Sequence, residues 1–412
     1  MEQARYVIVG AGLAGGNAAT AIRKKDAKGR VVVVTDEPHR PYDRVPLSKE
    51  YLRGEWGLDD VFLEEEKFYE EKGIELVTGR HVQKVDVKGS SLSLDDGREF
   101  GFERLLFAAG ARPRVLQIPG SDLGNIHYLR TISDSDAIKA AIRNSRRAVI
   151  VGGGFIGCEI AAACLQHGLE TIIIEIQPQL LGLAFDPDMA RWMTDFLALK
   201  GAKVMTGTGA SRFVGENGRF AGVETATGER FDGDFAAVGI GVIPNDELAR
   251  DAGLKVDKGI VVNERMETDV PGIFAAGDVA RFYSPTFERH LRVEHWDVAV
   301  KQGKVAGANM AGAQLAYADP PYFFSDMFEL HTHVYGTLSE HDQVVRRGEM
   351  KVTERGGFAQ FYLRKGRLMA YLGVNRKFKE EKAAQKLIVS KRTIDDVSAL
   401  EDESKDLQSL LK

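Results

Sequence analysis

The sequence predicts an α/β protein with two Rossmann-like nucleotide-binding domains, each a three-layer β/β/α sandwich, and a smaller C-terminal α+β domain. Three observations carry this expectation: a βαβ pattern written twice, two apolar runs that break at glycine and proline, and strand-like alternation from Tyr322 onward.

The first copy of the pattern runs from Tyr6 to Glu37 and the second from Ala148 to Glu175. Each is an apolar β-type run, a glycine-rich turn, an alanine-rich helical stretch, a polar break and a second β-branched run ending in acid. The glycines stand at G-x-G-x-x-G in both: Gly10, Gly12 and Gly15, with Leu13 and Ala14 between, then Gly152, Gly154 and Gly157, with Phe155 and Ile156 between. The first glycine permits the tight turn, the second lets backbone N–H groups approach a pyrophosphate, and the third lets helix and strand pack closely. The pyrophosphate then meets a helix N-terminus, whose unpaired N–H groups and positive dipole end favour an anion. Asp36, with Glu37 beside it, closes the first unit and Glu175 the second. Such acids accept ribose hydroxyls and repel a 2′-phosphate. No arginine lies between Ile172 and Gly182, so the second nucleotide is expected to be NADH rather than NADPH.

Leu105 to Arg114 and Ala236 to Asn245 are the two broken apolar runs, and they suit strands that leave one domain for another. They set the expected boundaries: a discontinuous first domain of 1–112 and 245–322, an inserted second domain of 113–244, and a C-terminal domain of 323–412. In the last, VYGTL, KVTE, FAQFYLRKG and LMAYLGV alternate before the chain turns helical, which predicts a small antiparallel sheet with helices.

Composition narrows the function. The chain has 412 residues, too many for one core, with 44% hydrophobic and 28% charged residues, as in ordinary globular proteins. No apolar run reaches the ~18 residues of a membrane span; the nearest, Ala148 to Leu169, contains Glu159 and five glycines. The N-terminus enters a strand without an export signal, making the cytoplasm the expected location. The two cysteines, Cys158 and Cys164, fit neither a disulfide framework nor a zinc spacing, so no metal site is expected. A net charge of −5 argues against nucleic-acid binding.

On these motifs, together with EPHRPYDRVPLSK (Glu37–Lys49), TDVPGIFAAGDVA (Thr268–Ala280), VEHWDVAVKQGKVAGANMAG (Val293–Gly312) and PYFFSDMF (Pro321–Phe328), the sequence resembles a known family. These are the FAD- and NAD-dependent reductases of glutathione reductase fold, and among them the ferredoxin and rubredoxin reductases of oxygenase systems and the reductase core of apoptosis-inducing factor. The resemblance implies FAD in the first domain and NADH in the second. It implies that Asp278, after Gly277, bonds the ribityl chain, that Arg44 and Arg130 neutralise the FAD pyrophosphate, and that the Val82 backbone meets the adenine. It also implies cofactor contacts from Ala109, Gly110 and His295, and from Ile240 and Gly241 on the NAD side. Lys49, on the short helix after RPYDR, and Glu159 are expected to pair beside flavin N5. Trp296 is expected against the isoalloxazine, near where a redox partner docks. His295, with no metal-ligand companion, also reads as a polar core residue.

The departures are informative. Disulfide reductases of this fold carry a redox-active cysteine pair where this chain has Arg44–Lys49, and no cysteine precedes Cys158. Two hypotheses lead: electron transfer from NADH through FAD to a small iron–sulfur protein, and direct reduction of a quinone, monodehydroascorbate or oxygen; a third, an interaction protein of apoptosis-inducing-factor type, lacks support in a chain of net charge −5 with no targeting segment at its start. From Val344 to Arg392 there are 14 Lys or Arg against 4 Asp or Glu, a local +10 that would steer an acidic ferredoxin, with Arg346 and Arg347 at its start. Monomer and homodimer both remain open.

Overall fold

The computed structural model describes residues 1–351 and 357–411. Its contacts divide the chain into two compact units. One comprises Met1–Asp43, Val61–Arg112 and Pro244–Phe323, the other Arg44–Asp60, Pro113–Ile243 and Phe324–Lys412.

The first unit is organised by one parallel sheet. Strands Ile74–Val77, Val31–Val34, Glu2–Val9 and Glu99–Phe107 lie side by side, and Ile273–Ala275 extends them. The long strand Glu99–Phe107 serves two partners. Its first residues pair antiparallel with Ser91–Leu94 (Ser91↔Gly101), and its last pair parallel with Ile273–Ala275 (Leu105↔Ile273). Helix Leu13–Lys25 crosses helix Trp296–Met310 at unusually close range. A Cβ on Gly303 would lie 2.3 Å from the Ala14 carbonyl oxygen, and one on Gly307 2.3 Å from that of Ala18. Two glycines four residues apart, facing two alanines four residues apart, make the contact possible. The strands Val31–Val34 and Ile273–Ala275 are buried on both faces, as a covered parallel sheet requires.

In the second unit, strands Lys203–Thr206, Glu170–Glu175, Arg147–Val151, Phe235–Val238 and Ile126–His127 repeat the parallel arrangement. A three-stranded antiparallel sheet (Ala210–Glu216, Arg219–Thr225, Arg230–Asp232) supplies the extra layer. Two three-layer α/β nucleotide folds are thus present. The C-terminal part is a five-stranded antiparallel sheet in the order Tyr322–Met327, Leu330–Gly336, Arg367–Val374, Ala359–Arg364, Gln343–Arg347. Helix Phe378–Ser390 covers it with Ala383, Ala384, Leu387 and Ile388. The expected α+β domain is therefore an antiparallel sheet with helices; of the KVTE strand, everything from Val352 on lies outside the described residues.

The segment 44–60 is held within the second unit by polar contacts. Arg44 Nη1 donates to the Arg130 carbonyl at 2.8 Å, Ser135 Oγ to the Leu47 carbonyl at 2.7 Å, and Tyr51 Oη to Asp136 at 2.7 Å.

Candidate functional site

Both glycine turns close as the motif predicts. The Gly10 N–H donates to the Val34 carbonyl and the Gly152 N–H to the Ile174 carbonyl, each at 2.8 Å. Gly10 (φ +107°) and Gly152 (φ +104°) need left-handed backbone, and a Cβ on either would meet a backbone oxygen at 2.3 or 2.4 Å. The third glycines are also obligatory: a Cβ on Gly15 or Gly157 would lie within 2.0 Å of the carbonyl oxygen of Gly10 or Gly152. The middle glycines differ. Gly12 has an ordinary φ of −74° and no neighbour within 4 Å of a built Cβ; Gly154 has φ −77° and only one contact, at 3.9 Å. Nothing in the described protein forbids a side chain there, which fits space kept for a bound diphosphate. Leu13–Ala14 and Phe155–Ile156 open helices of 13 and 12 residues without side-chain caps. Their N-terminal N–H groups suit the same anion.

The two acids are not equivalent. Glu175 directly follows the residue whose carbonyl holds the turn, and it accepts the N–H of Gly153 at 2.5 Å and of Gln177 at 2.7 Å. By the same register the first unit places Thr35 there, with Asp36 one residue further out and exposed. Glu37 accepts the Tyr42 hydroxyl at 2.5 Å. Val82 is buried in strand Val82–Asp86. Ala109 offers its carbonyl to Asn245 Nδ2 at 2.8 Å, and Gly110 (φ +64°) and Gly241 (φ +95°) turn the chain at the two breaks, the latter beside half-buried Ile240. Arg130 donates its N–H to Asp134, inside the capping box that starts helix Ile132–Arg143.

At Gly277–Asp278 the chain makes a tight turn after the strand Ile273–Ala275, with Gly277 at φ +79° and its would-be Cβ 3.1 Å from Ala14. The Gly277 N–H donates to Gln302 Oε1 at 2.9 Å. Gln302 is fully buried and its Nε2 has no partner among the described residues, a second sign of room for a polar ligand beside the first glycine turn. His295 stacks on Phe323 at 4.4 Å, and desolvation holds its imidazole down to about 4, so it is neutral near pH 7. Trp296, 36% exposed, opens its helix and donates Nε1–H to Asp43 Oδ2 at 2.7 Å.

Lys49 and Glu159 meet in the second unit, Nζ to Oε1 at 2.8 Å, with side chains 4% and 6% exposed. Lys49 is not on a helix; it stands at the break between the 3₁₀ turn Val45–Ser48 and the single helical turn Glu50–Arg53. Two serines complete the carboxylate shell: Ser48 Oγ reaches Oε2 at 2.6 Å and Ser325 Oγ reaches Oε1 at 2.7 Å. The Lys49 ammonium also lies 5.3 Å from the Phe324 ring centroid. A buried ion pair is tolerated only when its remaining hydrogen-bonding capacity is met, and these serines meet it. Both lie inside strings already singled out, PLSK and PYFFSDMF, so the signal was present although the contact was not.

Cys158 and Cys164 are buried, and burial pushes both thiols up, which leaves them un-ionised and inert. Among the described residues no cluster could hold a metal, and no helix is long and apolar enough to cross a membrane. The basic stretch needs correction. Arg347 is only 4% exposed and is structural: it pairs with Glu380 at 3.3 Å and donates to the carbonyls of Leu400, Glu403 and Lys405. Arg346 pairs with Asp188, Arg364 with Glu340, Arg376 with Glu380 and Glu403, and Lys379 with Asp406. Four acids outside the stretch, Asp188, Glu340, Glu403 and Asp406, thus face its cations, and positions 352–356 of the stretch fall outside the described residues.

Comparison with known proteins agrees with this geometry. Residues 4–303 match the pyridine nucleotide-disulphide oxidoreductase family, and residues 322–411 match the reductase C-terminal family. The chain is 36% identical over 396 residues to the probable ferredoxin reductase CtmF of Castellaniella defragrans, covering 95% of this chain and 94% of that one. It is 32% identical over 410 residues to putidaredoxin reductase CamA of Pseudomonas putida, covering 98% and 96%. The reductase in a covalent putidaredoxin reductase–putidaredoxin complex superimposes with a TM-score of 0.94 at 31% identity, covering 100% and 99% of the two chains.

Proposed function

Because the chain belongs to the pyridine nucleotide-disulphide oxidoreductase family and ends in its reductase C-terminal domain, we propose that it is the electron-entry enzyme of an oxygenase system. It is an NADH- and FAD-dependent oxidoreductase that delivers electrons to a small iron–sulfur protein of ferredoxin or rubredoxin type. The observation that carries this reading is the pair of dinucleotide turns in a chain whose two thiols are both buried. Bound FAD supplies the conversion between a two-electron donor and a one-electron acceptor.

The chain's own residues bind, orient and exclude water. The Gly10–Gly15 turn, the Gly277–Asp278 turn and Asp36 would hold FAD. The Gly152–Gly157 turn would hold the NADH diphosphate, and Glu175 its ribose. Glu159, already oriented by two serines, fixes the Lys49 ammonium as a stationary positive charge for the hydride-transfer step, a dipole that needs no rearrangement during reaction. Trp296 is the proposed exit for electrons, because its indole is partly exposed yet held in one orientation by Asp43. The partner would dock around Trp296 and on exposed lysines of the C-terminal domain, such as Lys377 and Lys386. An NADH-fed enzyme of this kind would work in the cytoplasm.

A panel of acceptors tests the reading. Cytochrome c reduction by NADH that requires an added ferredoxin or rubredoxin is the expected result. Fast quinone or oxygen turnover, with iron–sulfur proteins left oxidised, would contradict it.

A further inference from the structure

Buried carboxamides normally use both ends, and Gln302 uses one. It sits in the middle of helix Trp296–Met310 with 0% exposure; Oε1 accepts the Gly277 N–H at 2.9 Å, while Nε2 meets no acceptor among the described residues. Reversing the amide does not help, because Nε2 would then face the Gly277 N–H, donor against donor. The orientation is therefore fixed, and two N–H donors are left over.

Their surroundings point to what they serve. Gly277, to which Gln302 is bonded, packs on Ala14, and Gly303, its neighbour in the helix, abuts the Ala14 carbonyl. Ala14 lies in the first turn of the helix opened by Gly10–Gly12. Gln302 thus stands where three elements meet: the glycine turn, the Gly277–Asp278 turn and helix Trp296–Met310. Holding the Gly277 N–H needs only an acceptor, so the two amide N–H groups have no task within the turn itself.

We propose that Gln302 is a positioning residue for the flavin dinucleotide. Its oxygen sets the Gly277–Asp278 turn, and its amide N–H groups donate to a ribityl or diphosphate oxygen, directly or through one trapped water. The proposal rests on the FAD reading above. It makes Gln302 the link through which an occupied site stiffens both turns.

The test uses FAD itself as probe, with the parent, Gln302→Met and Gln302→Glu. FAD affinity is followed by recovery of free-flavin fluorescence on dilution, and Tm is measured with and without FAD. Gln302→Met should raise Kd for FAD about tenfold or more, the size of one lost hydrogen bond to a charged or hydroxyl oxygen. The Tm rise produced by FAD should shrink with it. Gln302→Glu keeps the acceptor for Gly277 but removes the donors and sets a negative charge toward an anionic ligand, so its Kd should rise at least as far; it also keeps the test open if the methionine variant does not fold. A purely structural role would lower Tm equally with and without FAD and leave Kd unchanged, and that result overturns the proposal. A parent chain that takes up no FAD would overturn the flavin reading along with it.

Discussion

Replacing Glu159 by glutamine removes a charge without changing shape, and the structure gives the size of the effect. The carboxylate receives Lys49 Nζ at 2.8 Å, Ser325 Oγ at 2.7 Å and Ser48 Oγ at 2.6 Å, all from buried side chains. In Glu159→Gln the Lys49 ammonium stays buried without a counter-ion, and breaking a buried pair in this way costs about 3–5 kcal/mol. Lys49→Met alone strands the carboxylate but leaves it two hydroxyl donors, so its cost should be smaller, about 2–3 kcal/mol. The double variant has no stranded charge. Its loss should therefore fall below the sum of the singles by at least about 2 kcal/mol. The assay is urea unfolding at saturating FAD, followed by tryptophan emission; Trp56 and Trp192 lie in the same compact unit as the pair. Stopped-flow reduction by NADH on the same samples should be slowed in both singles, because a fixed charge has been lost from the site in each. Strict additivity, or a cost for Glu159→Gln below about 1 kcal/mol, would refute the argument that the pair is a coupled, buried unit.

Three further outcomes are expected. Glu175→Ala should weaken NADH binding by about 1–3 kcal/mol, through the ribose contact and through the Gly153 N–H that the carboxylate now holds; equal kcat/KM for NADH and NADPH in the parent would remove the basis for this. Lys377→Glu with Lys386→Glu, the two exposed lysines named above, should slow reduction of an acidic iron–sulfur partner but spare ferricyanide turnover. That defect should fade with salt as the Debye length falls from about 10 Å at 0.1 M to about 3 Å at 1 M, whereas Trp296→Ala should slow the partner at every ionic strength. Burial lowers His295 from the ordinary imidazole value of 6.5 to about 4 in the fold. Stability should thus be full above about pH 6.5 and decline toward pH 4, by up to about 3 kcal/mol, and a His295→Gln variant whose acid limb matches the parent's would refute this.

What could be read in the sequence was what chemistry imposes locally. The paired glycine turns were legible because the motif makes a separate steric demand at each position; the first and third are imposed by the protein's own backbone, while the middle position has open space around it. The C-terminal sheet was legible in part: FAQFYLRKG and LMAYLGV fall on strands, which are buried on both faces rather than alternating, while the strand Gln343–Arg347 was not read. Contacts that depend on distant chain segments were not. Ser48 and Ser325 are 111 and 166 residues from Glu159, and a serine carries no mark of the carboxylate it will serve. The one-residue offset between Asp36 and Glu175 emerges only from strand register. Arg347 was misread because a charge count does not register burial: an arginine that straps backbone carbonyls adds nothing to an exterior field. Gly303 and Gly307 did carry a legible signal, four residues apart on a helix, for the close crossing with Ala14 and Ala18.

The most direct test of the central claim is an anaerobic titration. Enzyme in catalytic amount is mixed with an excess of oxidised [2Fe–2S] ferredoxin or rubredoxin, and NADH is added in small steps while the iron–sulfur absorbance is read. Each NADH should reduce two equivalents of a one-electron partner, to completion and within the mixing time of ordinary turnover. NADH that reduces the enzyme's flavin but leaves the iron–sulfur protein oxidised until a quinone or oxygen is admitted would contradict it.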